Sequence, residues 1–220
     1  MMRFSSIEKK ALMAATGLVL IGFVIGHLAG NLLIFFGPSA INGYARHLEE
    51  WWFFAWTVRS ILIAAFLLHV LMAVWLSLDN RAARPVGYAM KQSLRTTYAA
   101  RTMMVSGVLL TVFIAYHLLH FTFRVTHPAI SHLTDAEGRR NVYAMVVLSF
   151  QDPYLVIGYV ASMGLLCAHL SHGLGSFLQS LGLNNERLLP VLTRTGRLLA
   201  WALFIGYAAI PTSILLGWLK

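Results

Sequence analysis

Six histidines stand inside long apolar stretches of this 220-residue chain: His27, His69, His117, His120, His169 and His172. A polar side chain at membrane depth is costly and by default points to function. A neutral imidazole offers one bare nitrogen lone pair, which suits haem iron or another transition metal, and one N–H that can donate. The other three histidines, His47, His127 and His132, fall between the apolar blocks. The single cysteine, Cys167, excludes an intrachain disulfide and covalent haem attachment through C-x-x-C-H. No Asp or Glu stands in mid-block, so a zinc-type site would lack its usual carboxylate or thiolate ligands.

The elements that must hold these imidazoles are read from composition. Hydrophobic residues make up 58% of the chain and charged residues 11%, against roughly 25% charged in a soluble domain. A spanning helix needs about 20 apolar residues, and five blocks qualify: about 11–36, 55–78, 102–123, 154–181 and 198–219. The fold expected is all-α, a polytopic five-helix membrane bundle forming one domain over residues 1–220. The first block is too long for a signal peptide and is followed by four more spans. Segments 40–54 ("AINGYARHLEEWWFF") and 135–150 ("DAEGRRNVYAMVVLSF") read as interfacial helices, the second capped by Asp135.

The formal charge of +9 does not mark a nucleic-acid binder, because the basic residues flank the apolar blocks. Eleven (Arg3, Lys9, Lys10, Arg81, Arg84, Lys91, Arg95, Arg101, Arg187, Arg194 and Arg197) fall on one side and six on the other. That bias predicts a cytoplasmic N-terminus and an outer C-terminus in the cell membrane.

Depth then sorts the histidines, at a rise of about 1.5 Å per residue. His27 lies about 25 Å above Lys10 and His117 about 24 Å above Arg101, both toward the outer side. His69 lies about 15 Å above the inner end of its block, and His169 about 25 Å down from the outer end of its own. Two layers with one histidine from each of two helices are what two stacked bis-histidine haems b require. His117, not His120, matches His27 in depth. His120 would sit about 4.5 Å higher, near Arg124 and the outer surface, free to donate to a propionate or a quinone or to face water. By the same logic His169 is the ligand and His172 its polar neighbour. Gly22, Gly26 and Gly30 at spacing four, beside His27, suit either close helix packing or room for a porphyrin face.

The stretches "GFVIGHLAGNLLIFFGPSAINGYARHL" (22–48), "NVYAMVVLSFQDP" (141–153) and "HLSHGLGSFLQSLGLNN" (169–185) carry a resemblance. With five spans and a histidine in each of the first four, the chain resembles the cytochrome b membrane anchor of succinate:quinone oxidoreductases, complex II and its fumarate reductase relatives, of the single-chain two-haem class. The resemblance covers essentially the whole chain. It implies axial ligands at His27 ("GHLAGN"), His69 ("LLHVLMAVW"), His117 ("YHLLHF") and His169, four residues before Gly173–Leu174, with the first helix paired to the third and the second to the fourth. It implies electron transfer between a quinone, menaquinone in most two-haem members, and an iron–sulfur subunit that docks with a flavoprotein subunit on the cytoplasmic side. The dicarboxylate site would lie on the flavoprotein, since this chain has no Rossmann fingerprint and one cysteine.

Arg101 and Arg124 are expected to contact propionates or quinone. The basic cluster Arg81, Arg84, Lys91, Arg95 and Arg101 is expected to dock the soluble subunits or offset inner propionates. One departure is Cys167, where some relatives place a proton-carrying glutamate. Glu49 and Glu50 read as quinone-side proton acceptors or, with more weight, as the solvated face of an interfacial helix. The alternatives are the two-haem cytochrome b of another respiratory oxidoreductase and a histidine-based, proton-coupled metal transporter.

Overall fold

A computed structural model describes residues 4–83, 98–180, 182, 185 and 187–220, except for the side chain of Leu178. Its helices are α1 (Ser6–Asn31), extended by a 3-10 turn (Leu32–Phe36), α2 (Pro38–Glu50), α3 (Trp52–Ala82), α4 (Tyr98–His117), continued as a π-helical turn (Leu118–Thr122), α5 (Pro128–Ser131), α6 (Val142–Ser149), α7 (Pro153–Ser180) and α8 (Leu188–Leu215). Among the described residues the only β-type pairing is one bridge between Thr134 and Arg140. Among the described residues five helices are long and apolar enough to cross a membrane: Ser6–Phe36, Trp52–Ala82, Tyr98–Thr122, Pro153–Phe177 and Leu188–Leu215. The chain is a multi-pass helical membrane protein.

The helices run past the expected apolar blocks because charged residues at their ends find partners. Ser5 and Glu8 form a reciprocal capping box that starts α1: the Ser5 hydroxyl accepts from Glu8 N at 3.3 Å, and Ser5 N donates to Glu8 at 2.6 Å. Lys9 is only 5% exposed. Its ammonium donates to Asp79 at 2.6 Å and lies 4.0 Å over the Trp75 ring, which locks the first turns of α1 to the end of α3. The largest departure is α8, which begins at Leu188 rather than near residue 198. Pro190 sits in its first turn, where a missing N–H costs nothing. Arg194 and Arg197 stay on the helix, since long basic stems can reach from it to the interface.

Packing joins α1 to α3 and α7 to both α8 and α4, while α1 also touches α7 and α8. The order around the bundle is therefore α3–α1–α7–α4, with α8 behind α1 and α7. Close approach of α8 depends on glycine. A Cβ on Gly196 would stand 2.8 Å from Leu174, and one on Gly206 2.7 Å from Leu28. Beside Gly206, the Tyr207 hydroxyl donates to Val24 O at 2.7 Å.

At the end of the bundle away from Ser6, α2 and α6 close over the core formed by Ile34, Val147, Phe150, Tyr159 and Ile210. Gly37, at φ +94°, makes the sharp exit from α1 that only glycine adopts easily, and Pro38 opens α2. The expected helix over 135–150 is corrected. Asp135 does not cap a helix. Its carboxylate accepts from Glu137 N, Arg139 N and Arg139 Nε at 2.8–3.0 Å, folding a turn that Gly138 completes at φ +72°. The helix starts seven residues later at Val142, where the Asn141 side chain accepts from Ala144 N. Local hydrogen bonding by Asp, followed by a glycine in the left-handed region, outcompetes helix extension here. Asn42, 1% exposed, ties α2 to this turn: it donates to Asp135 and Asn141 and accepts from Tyr143 N.

The Asp135 hub sets an acid limit. Desolvation would raise the pKa of this carboxyl, but hydrogen bonds from Arg139, Asn42 and the turn's backbone outweigh it and hold it below its usual value. A depressed folded pKa contributes stability that is complete above the unfolded pKa, about 3.9, and disappears as pH falls through the lower folded value. The wild-type chain should therefore lose thermal stability as pH falls below about 4 more steeply than Asp135→Asn does. Helix melting in detergent, followed by circular dichroism across that range, measures the difference; parallel curves would remove the hub's role.

Candidate functional site

The structure brings the four histidines expected as ligands into two groups at different heights. His27 on α1 and His117 at the end of α4 meet edge to face with ring centroids 5.9 Å apart. Phe23 stacks on His27 at 5.1 Å, and Phe113, Phe121 and Tyr159 surround His117 at 5.5–6.0 Å. The backbones of α1 and α4 do not pack along each other, so these side chains span the interval between them. His117 Nδ1 is buried without a hydrogen-bond partner among the described residues. Such an orphaned group costs about 1–3 kcal/mol, and it is the kind of atom a bound group would satisfy.

His69 on α3 and His169 on α7 lie nearer the Ser6 end, His69 held against α1 and His169 against α4. His69 reaches α1 at Met13–Gly17, ten or more residues before His27, which sets the two levels roughly 16 Å apart.

The same local device holds both rings. His69 Nδ1 stands 3.1 Å from the carbonyl of Met13 and 3.3 Å from the Thr16 hydroxyl. A carbonyl only accepts, so Nδ1 carries the proton. His169 Nδ1 stands 3.1 Å from the Ser106 hydroxyl, which itself donates to Met103 O at 3.0 Å; Nδ1 is the donor again. Beside each hydroxyl is a glycine. A Cβ on Gly17 would stand 3.2 Å from His69 Cε1, and one on Gly107 3.6 Å from His169 Cε1. With Nδ1–H committed, each ring presents a bare Nε2 lone pair and is fixed in orientation, the arrangement of an axial or metal-bound histidine. Sequence reasoning missed Thr16–Gly17 and Ser106–Gly107. The signal was available as a hydroxyl–glycine pair near the start of each of two spans.

His120 differs from its expected setting. It is 0% exposed and faces neither water nor Arg124. Nδ1 pairs with the Tyr159 hydroxyl at 2.9 Å and Nε2 with the Ser149 hydroxyl at 3.0 Å, so both nitrogens are engaged. The cause is the π-helical turn Leu118–Thr122, whose wider winding turns His120 into the bundle. Arg124 closes that turn in the left-handed region at φ +59°. His172 is partly buried and pairs through Nε2 with Ser176 of its own helix at 3.0 Å.

The charged candidates separate by position. Arg101 is exposed, with its guanidinium 5.9 Å from the Tyr98 ring. Arg124 donates to Ser131 O, and among the described residues its Nε is buried without a partner, as is Nε of Arg140. Arg140 pairs with Glu49 at 2.8 Å, and Glu50 with Arg46 at 2.8 Å. Both glutamates are thus engaged on the partly exposed flank of α2. Burial lowers the pKa of Arg140, Glu49 opposes that shift, and neighbouring Arg124 and Arg59 add to it. This basic corner would welcome an anion. Arg84, Lys91 and Arg95 lie outside the described residues. Gly22 and Gly26 face open space, whereas Gly30 accommodates the Tyr44 ring. Among the described residues no three His, Cys, Asp or Glu side chains converge as a metal site.

No family model, curated protein or solved structure matches this chain.

The buried His120–Tyr159 bond is open to a stability test. His120→Phe leaves a buried phenol unpaired and should destabilise the chain by about 1–3 kcal/mol. Tyr159→Phe in the same background should recover most of that loss, because no polar atom is then stranded. A double-mutant cycle in detergent, read by thermal melting, checks the coupling; strictly additive losses would mean that the two groups act independently.

Proposed function

We propose that the chain is a cytochrome b anchor that binds two haems b and carries electrons between an iron–sulfur subunit and a membrane quinone, as the membrane subunit of a succinate dehydrogenase or fumarate reductase. The observation that carries the reading is the matched pair of tethered imidazoles. His69 and His169 each commit Nδ1–H to a neighbouring helix and leave Nε2 bare. His27 and His117, with an orphaned buried nitrogen, form a second pair about three helical turns away.

These residues fit haem b. His69 and His169 would hold one group and His27 and His117 the other, while Gly17 and Gly107 keep side chains away from the inner imidazoles. Haem iron, when bound, supplies reversible one-electron transfer. The chain's own work is orientation and exclusion of water. Met13 O, Thr16 and Ser106 fix the inner rings, and Phe23, Phe113 and Phe121 wall the outer ones. Arg124 and Arg140 offer guanidinium N–H groups to carboxylates at the far end.

In this reading the end carrying Ser6 faces the cytoplasm, where the iron–sulfur and flavoprotein subunits dock, and the protein resides in the cell membrane. Its basic residues include Arg81 and Arg101. The quinone is menaquinone, and the complex works in the tricarboxylic acid cycle or its reverse.

Reduced-minus-oxidised spectra of variants test the proposal. His27→Ala and His117→Ala should each remove the same b-type band and spare the other, while His69→Ala and His169→Ala should remove the second. The wild-type chain should co-purify from its native membranes with a flavoprotein and an iron–sulfur protein. Loss of different bands by His27→Ala and His117→Ala would break the pairing, and a wild-type chain without any b-type band would end the proposal.

A further inference from the structure

The two sides of α8 differ. Gly196 and Ala200 pack inward, Gly196 against Leu174 of α7 and Ala200 fully buried. At helical spacing the opposite side carries Arg194, Leu198, Trp201 and Ile205. Leu198, Trp201 and Ile205 are 64%, 56% and 63% exposed, so no described helix covers them. Arg194, Arg197, Leu198 and Trp201 line a surface cavity of about 380 Å³, and the Trp201 ring rests edge to face on Phe204 at 5.7 Å. From Arg197 to the end of α8 at Leu215 is about 27 Å, close to the hydrocarbon thickness of about 30 Å. The basic pair therefore stands at headgroup level, with the exposed apolar residues beneath it in hydrocarbon.

We propose that Arg194 and Arg197 bind the phosphate of a phospholipid with a net negative headgroup, whose acyl chains lie along Leu198, Trp201 and Ile205. The inference is independent of the haem and quinone reading. Arg194 makes no hydrogen bond or ion pair among the described residues. Arg197 commits only Nε among them, to Thr193 O at 3.4 Å, and keeps both terminal nitrogens free to donate. Guanidinium forks match phosphate oxygens two at a time.

Charge and depth select this occupant. Lys9, Arg46, Arg139 and Arg140 each pair with a carboxylate of the chain, whereas Arg194 and Arg197 pair with none among the described residues. Phosphates are the anions that a bilayer itself presents at this level. A zwitterionic headgroup brings a cation that the pair repels, and a net negative headgroup does not. The order along the face, guanidinium then indole then aliphatic, follows the order of phosphate, glycerol and acyl chain in a lipid. A soluble partner would not reach Trp201 and Ile205, which lie at hydrocarbon depth.

The test offers phosphatidylglycerol and phosphatidylcholine in equal amounts to the full chain in detergent, with retained lipid read by native mass spectrometry. The wild-type chain should retain phosphatidylglycerol in preference. That preference should fall about fivefold in Arg194→Gln and in Arg197→Gln, and roughly 25-fold in the double variant, while the melting temperature without added lipid stays the same. Replacing both arginines by lysine should restore most of it, because the charge is kept. A photoreactive phosphatidylglycerol should label residues 194–205. If the double variant fails to fold, the single variants and the map of labelled residues decide. Equal retention of the two lipids, label elsewhere on the chain, or an undiminished preference in the variants would overturn the site. Displacement of phosphatidylglycerol by inorganic phosphate would mean that a free anion is bound, and crosslinking of this face to a protein in native membranes would mean that a partner span covers it; either result also overturns the proposal.

Discussion

A neutral imidazole has one N–H and one lone pair, and the rest of this bundle follows from where the N–H goes. At His69 and His169 it goes to the neighbouring helix, at distances of 3.1 Å. Each bond joins two spans, α1 with α3 and α4 with α7. It satisfies a polar group that hydrocarbon cannot, and it leaves Nε2 bare. The hydroxyls of Thr16 and Ser106 can take part because each donates to its own helix backbone and keeps lone pairs for the imidazole. Gly17 and Gly107 give the rings space to lie against those helices.

Both ends of the bundle support that arrangement by different means. Near Ser6, the buried ammonium of Lys9 is matched by Asp79 and Trp75, which sets the height of α1 against α3 and hence of His69 against Thr16. At the far end no charge pair joins two spans among the described residues. There α2 and α6 lie across the core, and Asn42 serves Asp135, Asn141 and Tyr143 at once. His120 adds an internal strut between α4, α6 and α7 through Ser149 and Tyr159. The spans are thus fixed mainly by directional bonds at a few heights, as expected where helix surfaces and lipid are equally apolar.

Much of the architecture was legible in the sequence because a bilayer enforces a simple code. About 20 apolar residues mark a span, and five blocks gave five helices. The rise per residue sorted His27 with His117 and His69 with His169, since depth along a straight helix needs no knowledge of side-chain contacts. What could not be read depends on local departures. The π-helical turn after His117 changes the direction of His120, whereas the rise per residue alone put that ring near the outer surface. Asp135 looks like a helix cap until the left-handed Gly138 turns the chain back. The fifth apolar block left Arg194 and Arg197 in the preceding loop, yet α8 carries them on its first turns. The tethers at Thr16 and Ser106 were invisible for another reason. Hydroxyl–glycine pairs are common, and only their meeting with a histidine from another helix gives them meaning.

The central claim is that two imidazole pairs hold two haems. Its most direct measurement is the haem content of the purified chain, by pyridine haemochrome against quantitative amino-acid analysis, with low-temperature electron paramagnetic resonance of the oxidised protein. The account predicts two haems b per chain, both low-spin with bis-imidazole ligation. A single haem, a high-spin iron with an open axial position, or no haem at all would contradict it.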